Sequence, residues 1–321
     1  MNHTAFFEQV KKGNIQPVYL MEGTEEYIKQ QAVRQLCTKL LPAGLEELNL
    51  TDLTDPEADA LIAAAETLPF MADRRIVIIR ECSLLTAGKK AENEDKAAQI
   101  AEYVERIPPT ACVVFFIKGK ADGRKKLYTL LKKKNAIVDF SPMSDAECAD
   151  WARRTMARMG KQMTPRTADK LVFTVGRDAA LLKQEMEKLA AYLADRPEVT
   201  EADIDAICTR STECTVFQMV DTQVAGRNDV AFGLLKDMVR AGEDRIGILA
   251  MLLRQYRILY HMRSLMDERA PQQSQASLLG IPPFAVSRTQ QQARRYDRAR
   301  LKEAYESLLD YEQQIKGGLT P

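Results

Sequence analysis

Pro17-Val18-Tyr19-Leu20-Met21-Glu22-Gly23 is a compact apolar run opened by proline and closed by glycine. The residues after it, 25–41, carry Ile28, Ala32, Val33, Leu36 and Leu40 at helical spacing. Strand, glycine loop and helix in that order have the form of a phosphate-binding loop. Upstream, residues 5–12 read as a short helix stopped by Gly13. Downstream, Asp55-Pro56 puts an N-cap before a proline at the first helical position, which predicts a helix through Thr67. Two β-branched runs follow, residues 76–79 and 113–117, with a helix over 95–106 between them. Short, fully apolar strands alternating with helices predict a buried, mostly parallel sheet covered on both faces.

Beyond Phe140 the strand signal fades. Ser144-Asp145-Ala146-Glu147 and Thr200-Glu201-Ala202-Asp203 are capping boxes, Thr164-Pro165 starts another helix, and Asp178 caps a third. After Asp178, the residues Leu181, Leu182, Glu185, Met186, Leu189 and Tyr192 predict one core-facing stripe. From Ser211 onward the strongest helical segments are 229–240, 246–265 and 298–316. Residues 270–283, rich in Gln, Ser and Pro, are expected to form a mobile connection. The predicted layout is an α/β domain over 1–141, a small helical domain over 142–210 and a larger helical domain over 211–321.

The 321 residues suffice for two or three domains, and 45% hydrophobic with 28% charged residues is ordinary globular composition. A net charge of +1 argues against wholesale polyanion binding while leaving room for local basic patches. No run approaches 18 apolar residues and the first residues lack a signal-peptide core, so a cytoplasmic protein is expected. The six cysteines form no CxxC pair and the two histidines, His3 and His261, stand far apart. That pattern predicts reduced, buried thiols rather than a zinc site, and no Ser-His-Asp or Cys-His catalysis.

The phosphate loop fails its own chemistry. Counted from Gly23, Lys29 falls at the phosphate lysine of GxxxxGK[ST], but the second glycine is Ile28 and the magnesium-binding hydroxyl is Gln30. Glu25 and Glu26 set negative charge where a helix N-terminus would meet a polyanion. The acid expected after the strand at 76–79 is replaced by Arg80, with only Glu81 beside it. No cofactor, metal or catalytic residue is expected, and fold and activity separate here.

The order of elements resembles the AAA+ family, and more closely the delta-subunit family of bacterial DNA polymerase III clamp loaders. The resemblance rests on Val18-Tyr19-Leu20 with Gly23 and Glu25-Glu26-Tyr27, on Leu68-Pro69-Phe70 followed by Asp73-Arg74-Arg75, and on Arg124-Lys125-Lys126-Leu127-Tyr128. Gly176-Arg177-Asp178 with Glu185, Leu189 and Tyr192, and Leu253-Arg254-Gln255 with Arg257, extend it toward Gly317. It implies that the two helical domains are a lid and an oligomerisation collar. The Ser-Arg-Cys motif of active loader ATPases is replaced by Lys132-Lys133-Lys134-Asn135, and the lid arginine position is Ala179. Both departures favour delta over the delta-prime stator and the motor subunits. The family also implies an apolar stretch after Gly317, so a shortened C-terminus is expected.

The resemblance further implies that an apolar tip at the end of a first-domain helix enters a pocket of the beta sliding clamp. Here Pro69 disfavours helix at Leu68, which leaves Leu68, Phe70 and Met71 between a helix end and Asp73-Arg74-Arg75. These three are the candidate clamp-binding residues. The implied function is opening of the clamp ring for loading onto primed DNA, alongside motor ATPase subunits and delta-prime, without ATP hydrolysis by this chain. Arg124, Lys125 and Lys126, in a basic stretch from 118 to 134, are candidate DNA contacts; a solvated helix face explains the same residues. A delta-prime-type stator and an atypical AAA+ nucleotidase remain the alternatives.

Overall fold

The computed structural model describes residues 1–86, 94–281 and 283–317. Residues 318–321, where a shortened end is expected, lie outside the described residues. The chain divides after Pro142 into two compact units.

In the first unit the order is α1 (His3–Lys11), β1 (Val18–Glu22), α2 (Glu26–Leu40), α3 (Glu46–Asn49), β2 (Leu50–Thr54), α4 (Ala58–Glu66) and β3 (Arg75–Arg80). Then come α5 (Glu94–Glu105), β4 (Ala111–Phe116), α6 (Lys126–Lys133) and β5 (Ile137–Asp139). The strands form one sheet in the order β2-β3-β4-β1-β5, with every pairing parallel. Register aligns Val18 and Val77 with Val113, and Leu20 and Ile79 with Phe115. Because alternate residues face opposite sides, these six and Ile117 form one buried layer with Leu61 and Ala65 of α4, Ile100 and Tyr103 of α5, and Leu127 and Leu131 of α6. The intervening residues Tyr19, Met21, Ile76, Ile78 and Val114 are buried as well, and Phe6 of α1 packs edge-on against Tyr19 at 5.2 Å. Both faces are covered, which is why residues 18–21 of β1, 76–79 of β3 and all of β4 are apolar without alternation.

Strands β2 and β5 escape the sequence reading. β2 is an edge strand whose Leu50-Thr51-Asp52-Leu53-Thr54 is only partly buried, and β5 has three residues. The helix predicted from Pro56 starts later, at Ala58, with Glu57 at the N-cap position. Asp55 does not cap it. It takes φ +41, and its carboxylate accepts hydrogen bonds from the Ser83 N–H and hydroxyl, at 2.9 and 2.8 Å.

The second unit is helical: α7 (Asp145–Arg158), α8 (Pro165–Val175), α9 (Ala179–Leu193), α10 (Glu201–Ile207), α11 (Thr212–Val224), α12 (Asn228–Arg240), α13 (Arg245–Asp267), α14 (Gln272–Leu279), α15 (Pro283–Arg294) and α16 (Arg298–Lys316). The capping boxes form as predicted at Ser144–Glu147 and Thr200–Asp203, and Thr164 and Asp178 cap α8 and α9. Two expectations need correction. The buried stripe of α9 keeps the expected Leu182, Glu185, Met186 and Leu189 and adds Ala179 and Leu193, whereas Leu181 and Tyr192 are exposed. The supposed mobile connection carries helix α14, closed by Gly280 in the left-handed conformation and tied by Gln275 Nε2 donating to the Ala270 carbonyl. Polar composition there reflects a helix whose buried contacts include a glutamine, Gln275. The fold class is thus the predicted one, a parallel-sheet α/β domain followed by a helical C-terminal region. Among the described residues no helix is long and apolar enough to cross a membrane.

Candidate functional site

Helix α4 buries Ala58, Leu61 and Ala65 against the sheet and stops at Thr67, whose backbone N–H and hydroxyl both donate to the Ala63 carbonyl. Pro69 bars the helical conformation at Leu68 and cannot donate a helical hydrogen bond itself. The chain then turns sharply through Met71, at φ +50, before entering β3. The three bulky apolar side chains of this corner point outward: Leu68 is 78% exposed, Phe70 53% and Met71 76%. Isolated exposed hydrophobics need no explanation, but three within four residues on one turn are a patch.

The backbone beneath that patch is held from inside. Asn49, the last residue of α3, is fully buried. Its Nδ2 donates to the Phe70 carbonyl at 2.9 Å and to the Leu45 carbonyl at 3.0 Å, while its Oδ1 accepts the Phe70 N–H at 2.7 Å. Arg75, buried at the start of β3, donates through Nη1 to the Thr67 carbonyl and through Nη2 to the Thr51 hydroxyl. Burial pushes the Arg75 guanidinium below its usual pKa. Arg74 Nη1 reaches the Ile15 carbonyl at 3.0 Å. The corner is therefore pinned on both sides of Pro69, at Thr67 and at Phe70, while its side chains stay in solvent. Sequence reasoning found the exposed residues and missed Asn49. The only signal was a carboxamide standing just before the strand at Leu50, and its partner lies 21 residues away.

The phosphate-loop position is filled by the chain's own groups. Gly23 takes φ +119 and its N–H donates to the Gly119 carbonyl; a β-carbon there would stand 2.3 Å from the Phe140 backbone. Lys29, at the phosphate-lysine position, is fully buried. Its ammonium donates to the Ile117 carbonyl at 2.8 Å, pairs with Glu26 at 2.9 Å and lies 4.7 Å from the Phe116 ring centroid. At the position of the magnesium acid, Arg80 makes a bidentate pair with Asp52 and stacks over Phe116 at 4.8 Å. Glu81 is exposed. Parallel sheets bind ligands beyond the carboxyl ends of their strands. Here the ends of β2, β3 and β4 carry Arg80–Asp52 and Lys29–Ile117 contacts.

The basic stretch is uneven. Arg124 is spent on Asp122, through Nε at 2.9 Å and Nη2 at 2.8 Å, and it holds that carboxyl well below the usual carboxylate range. Lys125 is half-buried at the N-cap of α6, and Lys126, the first residue of the helix, is exposed. Lys132 and Lys133 sit at the other end of α6, where cations complement the helix dipole. Five of the cysteines are buried and Cys37 is half-buried. Burial pushes Cys82 up to about 11, and Cys112 and Cys208 up to about 12.

Comparison with known proteins gives concordant matches. The family described as DNA polymerase III, delta subunit, matches residues 19–141, and the family described as DNA polymerase III delta subunit, C-terminal domain, matches residues 213–320. The DNA polymerase III subunit delta of Bacillus subtilis is 29% identical over 312 residues, covering 95% of this chain and 90% of that protein. The solved structure of the Bacillus subtilis DNA clamp loader delta protein superposes with a TM-score of 0.60 at 27% identity, over 98% of this chain and 94% of that one.

Proposed function

Because this chain belongs to the DNA polymerase III delta subunit family and is a clamp-loader component, we propose that its Leu68, Phe70 and Met71 corner binds the beta sliding clamp and helps open the ring. The observation that carries this reading is the combination of three exposed apolar side chains with a backbone pinned by Asn49 and Arg75. A rigid aromatic anchor loses little conformational freedom on docking, the property that concentrates binding energy in a few residues. The binding partner would offer an apolar pocket, with room for the phenyl ring and the two flexible neighbours.

Ring opening follows from linkage. A subunit that binds the strained form of one clamp interface more tightly than the closed form shifts that equilibrium by its differential affinity. No chemistry by this chain is required. The burial of Lys29 under Ile117 and Glu26, and the Arg80–Asp52 pair, support a domain without nucleotide hydrolysis and weigh against the atypical nucleotidase. Motor subunits and delta-prime would bind through helical regions read as a lid over 142–210 and a collar over 211–321. Primed DNA would meet Lys126, Lys125 and Arg124, with Lys126 the strongest candidate because Arg124 is already matched by Asp122.

The test is direct binding of the purified chain to its organism's sliding clamp, with and without ATP. Binding that is unaffected by ATP is the expected result. A folded chain that does not bind the clamp would overturn the proposal, and ATP binding by the isolated chain would favour the nucleotidase.

A further inference from the structure

Asn49 is a fully buried carboxamide at the end of a four-residue helix, and its two donors and its acceptor are all used. A buried amide is costly unless satisfied, and an apolar side chain would fill a core position without that requirement. What the carboxamide provides is a two-point grip on the backbone of a single residue, Phe70. That residue's side chain is half in solvent, so the grip serves no packing of the ring itself. Fixing both the N–H and the carbonyl of Phe70 sets the direction in which its β-carbon leaves the turn. The next residue, Met71, takes φ +50, a conformation uncommon for a side-chain-bearing residue, so the grip lies directly before the strained point of the turn.

We propose that Asn49 is a positioning residue for clamp docking: its carboxamide presets the Phe70 backbone so that the ring is presented in its docking orientation before contact. This rests on the reading of the Leu68–Phe70–Met71 corner as the clamp-binding site. With Asn49 truncated, the Phe70 N–H and carbonyl turn to water and the corner samples other conformations. Docking then has to order it, and affinity falls by the fraction of chains holding the competent turn.

The experiment measures clamp affinity of the full chain for wild type, Asn49→Ala, Phe70→Ala and the double variant, with amide exchange read residue by residue. Asn49→Ala is expected to weaken binding about tenfold, the effect of a turn competent about one-tenth of the time. The Phe70 amide should lose protection while the amides of β3 keep theirs. In the Phe70→Ala background the Asn49 change should alter affinity less than about twofold, since the ring it aims is gone. A purely structural role would instead weaken binding equally in both backgrounds, and that result overturns the proposal. Should Asn49→Ala not fold, exchange in the wild-type chain alone still decides. Unprotected exchange at Phe70 in the wild-type chain refutes the grip. If Phe70→Ala leaves clamp affinity unchanged, the corner itself is misread. If Phe70→Ala weakens binding strongly while Asn49→Ala binds as wild type, only the positioning role falls.

Discussion

Replacing Phe70 with alanine removes the largest apolar surface of the exposed corner. An aromatic side chain offers about 150–250 Å² for burial. With Phe70 53% exposed, on the order of 100 Å² remains available to a partner. At about 25 cal/mol per Å² that area corresponds to roughly 2.5 kcal/mol, and about 2 kcal/mol after allowing for the β-carbon that alanine keeps. The dissociation constant for the clamp should therefore rise roughly 30-fold. Folding should be spared, because the ring is outside the buried layer of the sheet and the Asn49 bonds go to backbone atoms that alanine retains. The melting temperature is expected to stay within about 2 °C of wild type. Calorimetric or surface-based titration with the clamp reads the affinity, and a thermal melt of the same preparation reads the fold. An affinity within threefold of wild type at an unchanged melting temperature would refute the assignment, whereas a large loss of stability would show that the ring belongs to the core.

The closed nucleotide position makes Lys29 a stability residue. Lys29→Met leaves the Ile117 carbonyl buried without its charged donor, so unfolding free energy in urea should fall by about 2 kcal/mol while clamp affinity holds; unchanged stability would contradict that role. In the assembled loader, Lys126→Ala should reduce the slope of log affinity for DNA against log salt by about one, and Arg124→Ala by less because Asp122 already neutralises it. Equal effects, or none, would remove this helix from the DNA path. The buried thiols predict an alkaline limit. Folded Cys82 keeps its proton to about 11, and Cys112 and Cys208 to about 12, so unfolded chains release protons first as pH rises above the ordinary thiol range. Their contribution to stability is whole below about pH 8.5 and is lost progressively toward pH 11–12. A urea midpoint constant from pH 8 to 11 would contradict it.

Much of the architecture was legible because local chemistry and burial agree. The runs at 18–21, 76–79 and 113–117 are apolar throughout because helices cover both faces of the sheet, and that density is visible without coordinates. The capping boxes at Ser144 and Thr200 are equally local, each closing within three residues. Pro69 announced the end of α4 for the same reason. Where a residue's role depends on something distant, the sequence was silent or misleading. β2 carries only two apolar residues, Leu50 and Leu53, with no period-two pattern, and its partner β3 lies a helix away. Asp55 looked like a cap until Ser83 claimed its carboxylate. Lys29 matched a phosphate motif, and only the fold shows its ammonium sealed beneath the Ile117 carbonyl.

The sequence by itself determined that the chain opens with a parallel α/β domain, continues in helices, and places Leu68, Phe70 and Met71 at a break that proline enforces. Tertiary contacts leave this break exposed while hydrogen bonds from buried Asn49 and Arg75 hold its backbone. The hold on the Phe70 backbone comes from Asn49, 21 residues away, and hydrogen bonds between segments so far apart leave no periodic mark in the chain that makes them.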